Sequence, residues 1–406
     1  MAPFALEGIN VLDFTWVAVG PITTKYLADN GANVIKIESA THIDVLRAAP
    51  PYADGKFGVN RSQFFADYNT SKRSITLNLG HPKARELAMR LVPWADIVVE
   101  NFTPKVMRGW QMDYEQLRRV KPDLIMLSSC LQGQTGPQAM MPGFGQLMAA
   151  LSGFYYISGY DPLDDPAPPY GAYTDYITPR LAAAVLVAAL DYRRRTGRGQ
   201  YIDVSQFEAS LHFLAPALID YFATGRVLQP QGNRSERYAP HGAYQCRDEG
   251  GAERWISIAV ANDAQWQGLL DVLGNPACDE RFATMLGRLQ NSQVLDTFLS
   301  AHVRERDAWD LTSRLQEKGV AAYPVQSCLD LHQDENLESF GFWHWLEHPE
   351  MGPAPYMGLQ HKLSATPGQL RSPAPLLGQH TDEILQQMLG LDDEQIAQLR
   401  KDGVLI

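Results

Sequence analysis

The chain has 406 residues, 45% of them apolar, and a formal net charge of −11. That length and apolar content suffice to bury a sizeable core in two domains, or three. The acidic balance disfavours nucleic acid and anionic membrane as partners, because both are held by clustered Lys and Arg.

The longest apolar run, residues 181–190, is about half of the ~20 residues a membrane span needs. The first residues lack a basic-then-apolar leader pattern, so a soluble, cytoplasmic protein is expected. Cys130, Cys246, Cys278 and Cys328 lie far apart, with no CxxC and no His at zinc spacing. Buried free thiols are expected rather than a disulfide framework or a metal site.

In chain order, residues 10–14 (NVLDF), 32–38 (ANVIKIE), 74–79 (SITLNL), 96–101 (DIVVEN) and 123–129 (DLIMLSS) read as strands. Residues 81–95 (HPKARELAMRLVPWA) place apolar residues on one stripe behind an early proline, the pattern of a helix. Strand and helix in alternation predict an α/β fold with a mostly parallel, Rossmann-like sheet covered on both faces.

Residues 159–175 are rich in Pro and Asp and read as a loop. Asp175 is expected at its end, just before a helix over residues 179–195 that is apolar all round in its middle and closes on three arginines. Gly197 and Gly199 break that helix. Residues 224–246 are polar with Gly and Pro and read as a crossing segment. A smaller α/β unit follows: a strand over 254–260, a helix N-capped by Asn262, and helix, Gly319 and strand over 308–325. From about residue 330 the pattern is loopy and aromatic, then helical.

Several stretches, taken in order, carry a resemblance: "LEGINVLDFT", "ADNGANVIKIE", "NTSKRSITLNL", "ADIVVENFTP", "LSSCLQGQTGP", "RRRTGRGQYIDVSQFEA", "GVAAYPV" and "LGQHTDEIL". Together they resemble the class III CoA-transferase family, which also contains the 2-methylacyl-CoA racemases. The resemblance implies an interlaced dimer, with a large CoA-binding domain made of both chain ends (1–221 and 330–406) and a small domain with linkers (222–329). It implies no permanently bound cofactor, CoA thioesters as substrates, and a partner that is a second copy or a similar subunit.

The family's catalytic aspartate stands twenty-one positions before the threonine of its TGRGQ turn, which is the separation of Asp175 from Thr196. By position alone, an acid beside a helix start is ordinarily an N-cap or a charge at the positive dipole end. The resemblance makes Asp175 a nucleophile instead. In a water-poor site its carboxylate attacks a thioester to form an aspartyl acyl anhydride, which then exchanges into an enzyme-CoA thioester. For CoA, the resemblance points to Val17 and Ala18 along the channel, and to Leu77 and Asn78 with Asn101 and Phe102 at the adenine and ribose. It further suggests Arg108 at a phosphate, with Lys72 and Arg73 as further cations.

The sequence departs from the family's formyl-CoA and oxalate enzymes at Ala18, where they carry a glutamine, and after Arg237, where their glycine-rich lid is missing; both disfavour oxalate. The racemase alternative needs a histidine and aspartate pair, and the matching positions are Phe144 and Gly145. A non-catalytic partner subunit is the other alternative. The wording "DFTWVAVGP" and "YTDYITPR" resembles members that take succinyl-CoA as donor and a dicarboxylic acid such as malate as acceptor. A second carboxylate would need a cation, for which Arg47, Arg180 and His241 are candidates.

Overall fold

A computed structural model describes residues 4–161 and 163–406. They divide into two compact units, one of residues 4–155, 168–227 and 336–406, the other of residues 156–161, 163–167 and 228–335. The large unit is therefore discontinuous, and residues 156–161 and 163–167, expected with it, cluster with the second.

The first unit is built on six strands: β1 (Asn10–Asp13), β2 (Asn33–Glu38), β3 (Lys72–Thr76), β4 (Ile97–Glu100), β5 (Ile125–Cys130) and β6 (Gln200–Ser205). All neighbours run parallel in the order β3-β2-β1-β4-β5-β6. β1, β2, β4 and the start of β5 are rich in aliphatic residues because both faces are covered, whereas β3 (KRSIT) holds a single one, Ile75. Leu12, Ile35, Ile75, Val98 and Met126 face the helix Pro82–Leu91 and the C-terminal helices Thr381–Leu389 and Asp393–Lys401. Their strand neighbours Val11, Val34, Ile97 and Leu127 face Ala182, Leu186 and Ala189 of the helix Thr174–Thr196. In this order the winding reverses between β1 and β4, and the loops leaving their carboxyl ends diverge to leave a crevice.

Two local expectations are corrected. Residues 92–94 tighten into a 3-10 turn at Pro93, so the helix expected to reach residue 95 stops at Leu91. The helix expected from residue 179 starts at Thr174, so Asp175 sits in its first turn and not on a loop. Pro179, lacking an N–H, falls early enough that the only intrahelical bond lost is to the Asp175 carbonyl. That helix is also not buried all round: Leu181, Val185 and Val187 are 39–49% exposed.

The second unit pairs β7 (His241–Gln245), β8 (Trp255–Ala259) and β9 (Ala321–Pro324) antiparallel. Tyr244, Ile256, Ile258 and Ala322 alternate inward against the helices Asp263–Leu273 and Ala308–Glu317. Asn262 caps the first of these by accepting from the Gln265 N–H. A hairpin of β10 (Trp343–His348) and β11 (Gly352–Met357), missed in the aromatic stretch after residue 330, belongs to the first unit. Of the cysteines, Cys246 is buried and Cys130 half-buried. Cys278 and Cys328 are exposed, correcting the expectation, because one lies in a loop and the other opens a short helix at the surface.

Candidate active site

At the carboxyl ends of β1, β4 and β5 the first unit encloses a cavity of about 290 Å3. The chain leaving β1 contributes Trp16, Val17 and Ala18, the chain leaving β4 contributes Asn101 to Thr103, and β5 ends in Ser129 and Cys130. Gly145, Asp175 and Gln206 complete the wall. A second cavity of about 370 Å3, lined by Leu77, Asn78 and His42, shares Trp16, Phe102 and Val106 with the first. The shared aromatic pair stands edge to face, with ring centroids 5.7 Å apart.

The loop after β1 is held in an uncommon conformation. Val17 has a φ of +65°, a region that a β-branched residue enters only when its surroundings force it. Asn101 accepts from the Trp16 N–H at 2.8 Å and donates to the Trp16 carbonyl at 2.7 Å, tying β4 to β1 across the crevice. Asp44 accepts from the Val17 N–H at 3.0 Å and pairs with Lys36 at 3.3 Å. The helix Val19–Asp29 then opens with Ala18 as its N-cap, and no side chain caps it. Its first N–H groups are free of intrahelical partners and stand beside the cavity.

Asp175 is 8% exposed. Gln206, on the first turn of the helix Gln206–Leu211, donates to Asp175 Oδ1 and, at 2.9 Å, to Thr174 Oγ1. Asp175 Oδ2 has no hydrogen-bond partner among the described residues. Burial pushes the Asp175 carboxyl up to about 6, with the Gln206 hydrogen bond opposing it. Gly145 is what makes room for this carboxylate, since a Cβ there would lie 2.3 Å from Asp175 Oδ1. Any side chain at position 145 would oblige this carboxylate or the backbone beside it to shift.

The expected CoA contacts separate. Val17, Ala18, Asn101 and Phe102 share the cavity of Asp175, while Leu77 and Asn78 line the second cavity. Asn101 therefore stands with Asp175 rather than with Leu77 and Asn78, and its amide is committed to Trp16. The Asn78 side chain donates to the Gly403 carbonyl at 3.2 Å, so the C-terminus orients it. Arg108 is exposed and lines a neighbouring cavity with Glu100 and Tyr201. Burial raises Glu100 to about 7, and its carboxylate accepts from the Phe102 N–H at 2.7 Å. Arg73 lines neither of the first two cavities and reaches Glu383 at 3.8 Å.

Lys72 must be withdrawn as a phosphate contact. It is 2% exposed, and its ammonium donates to Asp13 at 3.1 Å, the Pro21 carbonyl at 3.0 Å and Asn69 at 2.9 Å, using all three of its protons. Burial lowers it to about 8 despite Asp13. Arg47 is withdrawn as a carboxylate partner for the same reason: it is fully buried in a bidentate pair with Glu38, both bonds 2.8 Å. Arg180 is exposed, and His241 lines a separate cavity in the second unit.

The sequence reading missed Gln206, Gly145, Trp16 and Ser129. No spacing rule links Gln206 to Asp175, thirty-one residues away. Gly145 carried a signal, having been noted as the residue in an acid's place.

A doubly wound α/β sheet with a buried carboxylate in its switch-point crevice defines an enzyme of the ligand-at-strand-end class. The chain belongs to CoA-transferase family III, whose family model matches residues 6–381, and it is a class III CoA-transferase (EC 2.8.3). The β subunit of succinyl-CoA–L-malate CoA-transferase from Chloroflexus aurantiacus is 29% identical over 405 residues, covering 98% of each chain. An acetyl-CoA:oxalate CoA-transferase from Acetobacter aceti is 34% identical over 335 residues, 82% of each. The crystal structure of a CAIB/BAIF family protein from Brucella suis superposes with a TM-score of 0.86 at 30% identity, covering 96% of this chain and all of that one. Among the described residues no group of three or more His, Cys, Asp or Glu could hold a metal, and no helix is long and apolar enough to cross a membrane.

Proposed function

We propose that Asp175 is the nucleophile of a transfer of CoA from succinyl-CoA, or another dicarboxylic monothioester, to a dicarboxylic acid. What carries this proposal is the carboxylate itself: buried, anchored through one oxygen by a neutral donor, without a hydrogen-bond partner on the other among the described residues, and part of the cavity wall. No Lys, Arg or His lines that cavity among the described residues, so no cation holds the charge and blunts its reactivity.

Asp175 Oδ2 attacks the thioester carbon and the C–S bond breaks, releasing CoA thiolate and leaving a mixed anhydride. The thiolate attacks the Asp175 side-chain carbonyl, expels the first acid as its carboxylate and leaves an enzyme thioester. The acceptor's carboxylate attacks that thioester, thiolate departs again, and its return to the acceptor's acyl carbon gives the new acyl-CoA and free Asp175. Each step exchanges one acyl bond for another, with no net proton transfer. The free N–H groups at the start of the helix Val19–Asp29 are suited to oxyanions forming beside them.

The names of the relatives support dicarboxylic acids as a class. The oxalate-named relative supports oxalate as a further candidate acid, despite Ala18. In the adjoining cavities, Leu77, Asn78 and Phe102 would take the nucleotide end of CoA, with exposed Arg108 as the cation for its phosphates; Arg73 would first have to leave Glu383. A second chain completes the assembly, as an interlaced dimer with an identical or similar subunit. In support, the helix Ala215–Thr224 buries none of its residues and exposes Ile219 by 65% and Phe222 by 93%, which a monomer rarely tolerates.

The protein is to be incubated with succinyl-CoA without acceptor and trapped with hydroxylamine or borohydride. The peptide containing Asp175 alone should be modified, and Asp175→Asn should lose turnover by several orders of magnitude with its circular dichroism unchanged. A label on another carboxylate, or near-normal turnover in the Asn variant, would defeat the assignment.

A further inference from the structure

We propose that Ser129 is a specificity residue, whose hydroxyl donates a hydrogen bond to a second oxygen function on the acid being transferred. This rests on the transfer reading above and adds to it the group that reads the acid.

Ser129 is the penultimate residue of β5. Its face of the strand is that of Ile125 and Leu127, which pack against the helix beginning at Thr174 and Asp175. Ser128, pointing the other way, bonds Glu100. Ser129 thus sits where an apolar face gives way to the cavity holding the nucleophile, and it lines that cavity. It is 2% exposed, and its Oγ has no hydrogen-bond partner among the described residues. A buried hydroxyl without a partner costs free energy that alanine or valine would not incur. Rotation about χ1 and about the C–O bond lets this hydroxyl turn to a bound ligand.

Of the other polar side chains on this wall, Asn101 and Gln206 are committed, while Thr103 stands half-buried on the chain leaving β4. Asn101 spends its amide on Trp16, and Gln206 spends both N–H groups on Thr174 and Asp175. Burial pushes the Cys130 thiol up to about 11, leaving a weak neutral donor. With no cation on the wall, an extra carboxylate or hydroxyl arriving beside Asp175 meets a neutral hydroxyl. A site built to bond such an oxygen rejects an analogue lacking it, because its own polar group is then left unpaired.

The test is label exchange in the full-length protein, which needs only one acid at a time. Succinyl-CoA is mixed with labelled succinate, and separately 4-methylpentanoyl-CoA with labelled 4-methylpentanoate, whose branched end replaces the distal carboxylate by apolar carbon. Ser129→Ala should lower kcat/KM for succinate exchange by roughly ten- to hundredfold and leave 4-methylpentanoate exchange unchanged or faster. Ser129→Cys, which keeps the volume but is a poor donor, should fall with it, separating loss of the hydroxyl from loss of packing. If wild type exchanges succinate and both variants match it, or both acids slow equally, the assignment of Ser129 fails while the transfer reading stands. If wild type exchanges neither acid, or only 4-methylpentanoate, the dicarboxylate reading fails and this proposal falls with it.

Discussion

Replacing Gly145 with alanine places one methyl group against the Asp175 carboxylate, the proposed nucleophile, and the geometry sets the size of the effect. The new Cβ would stand 2.3 Å from Asp175 Oδ1, 2.5 Å from Cγ and 2.7 Å from Oδ2. Non-bonded carbon and oxygen settle no closer than about 3.4 Å, so the carboxylate must retreat by roughly 1 Å. It cannot do so and keep its bond from Gln206. A misplacement of about 1 Å in an attacking group costs on the order of 100-fold in rate. Stability should change little, because the contact is confined to the first residue of the helix Gly145–Leu151 and one neighbouring side chain. The assay is steady-state exchange with succinyl-CoA and succinate beside thermal unfolding. The expected result is kcat down about 100-fold, with a melting temperature within a few degrees of wild type and a little-changed KM for the thioester. A variant within threefold of wild-type kcat would refute the packing of the nucleophile against residue 145. A variant that fails to fold would refute the claim that the contact is local.

Since Asp175 must be ionised to attack, kcat/KM should fall as pH drops through about 6, where burial has raised its carboxyl. Gln206→Leu removes the hydrogen bond that opposes burial and should move this acid limb to higher pH, whereas a purely structural Gln206 would leave it in place. For stability the sign runs the other way. The folded protein holds this proton more tightly than the unfolded chain, so Asp175 contributes most below about 3.8, and that contribution is lost as pH rises through about 6. Asp175→Asn should therefore gain stability over wild type at pH 8, by about 3 kcal/mol from the shift of about two pH units, and lose the advantage near pH 3. Equal pH dependence of unfolding in the two proteins would contradict the buried-carboxylate picture. Lys72→Met should destabilise the fold by about 3 kcal/mol by taking the paired cation from buried Asp13, which keeps its hydrogen bonds from Thr15 and Thr24, while Arg108→Ala should raise the acyl-CoA KM with the fold intact. The reverse pattern in denaturant titrations and initial rates would restore Lys72 to the CoA site.

Much of the scaffold was legible in the chain because it depends on neighbours in sequence. The aliphatic runs ending in Asp13, Glu38, Glu100 and Cys130 are strands wherever both faces of a sheet are covered. Asp175 was singled out by the family resemblance, whose matched separation from Thr196 runs along one helix and its turn; position alone would have made it a cap. Charge and spacing could not tell Arg108 from Lys72 or Arg47, since in sequence each is simply a cation. Asp13, Asn69 and the Pro21 carbonyl claim Lys72, and Glu38 claims Arg47, only once the strands are laid side by side; Arg108, on a short surface helix, is left exposed. The environment of the nucleophile has the same origin. Gln206 comes from beyond β6, Gly145 from beyond β5, and Ser129 from the end of β5. Their convergence on one cavity follows from the strand order that opens the crevice, so the position of Asp175 before its helix was legible along the chain, whereas its burial and its single anchoring bond were decided by tertiary structure.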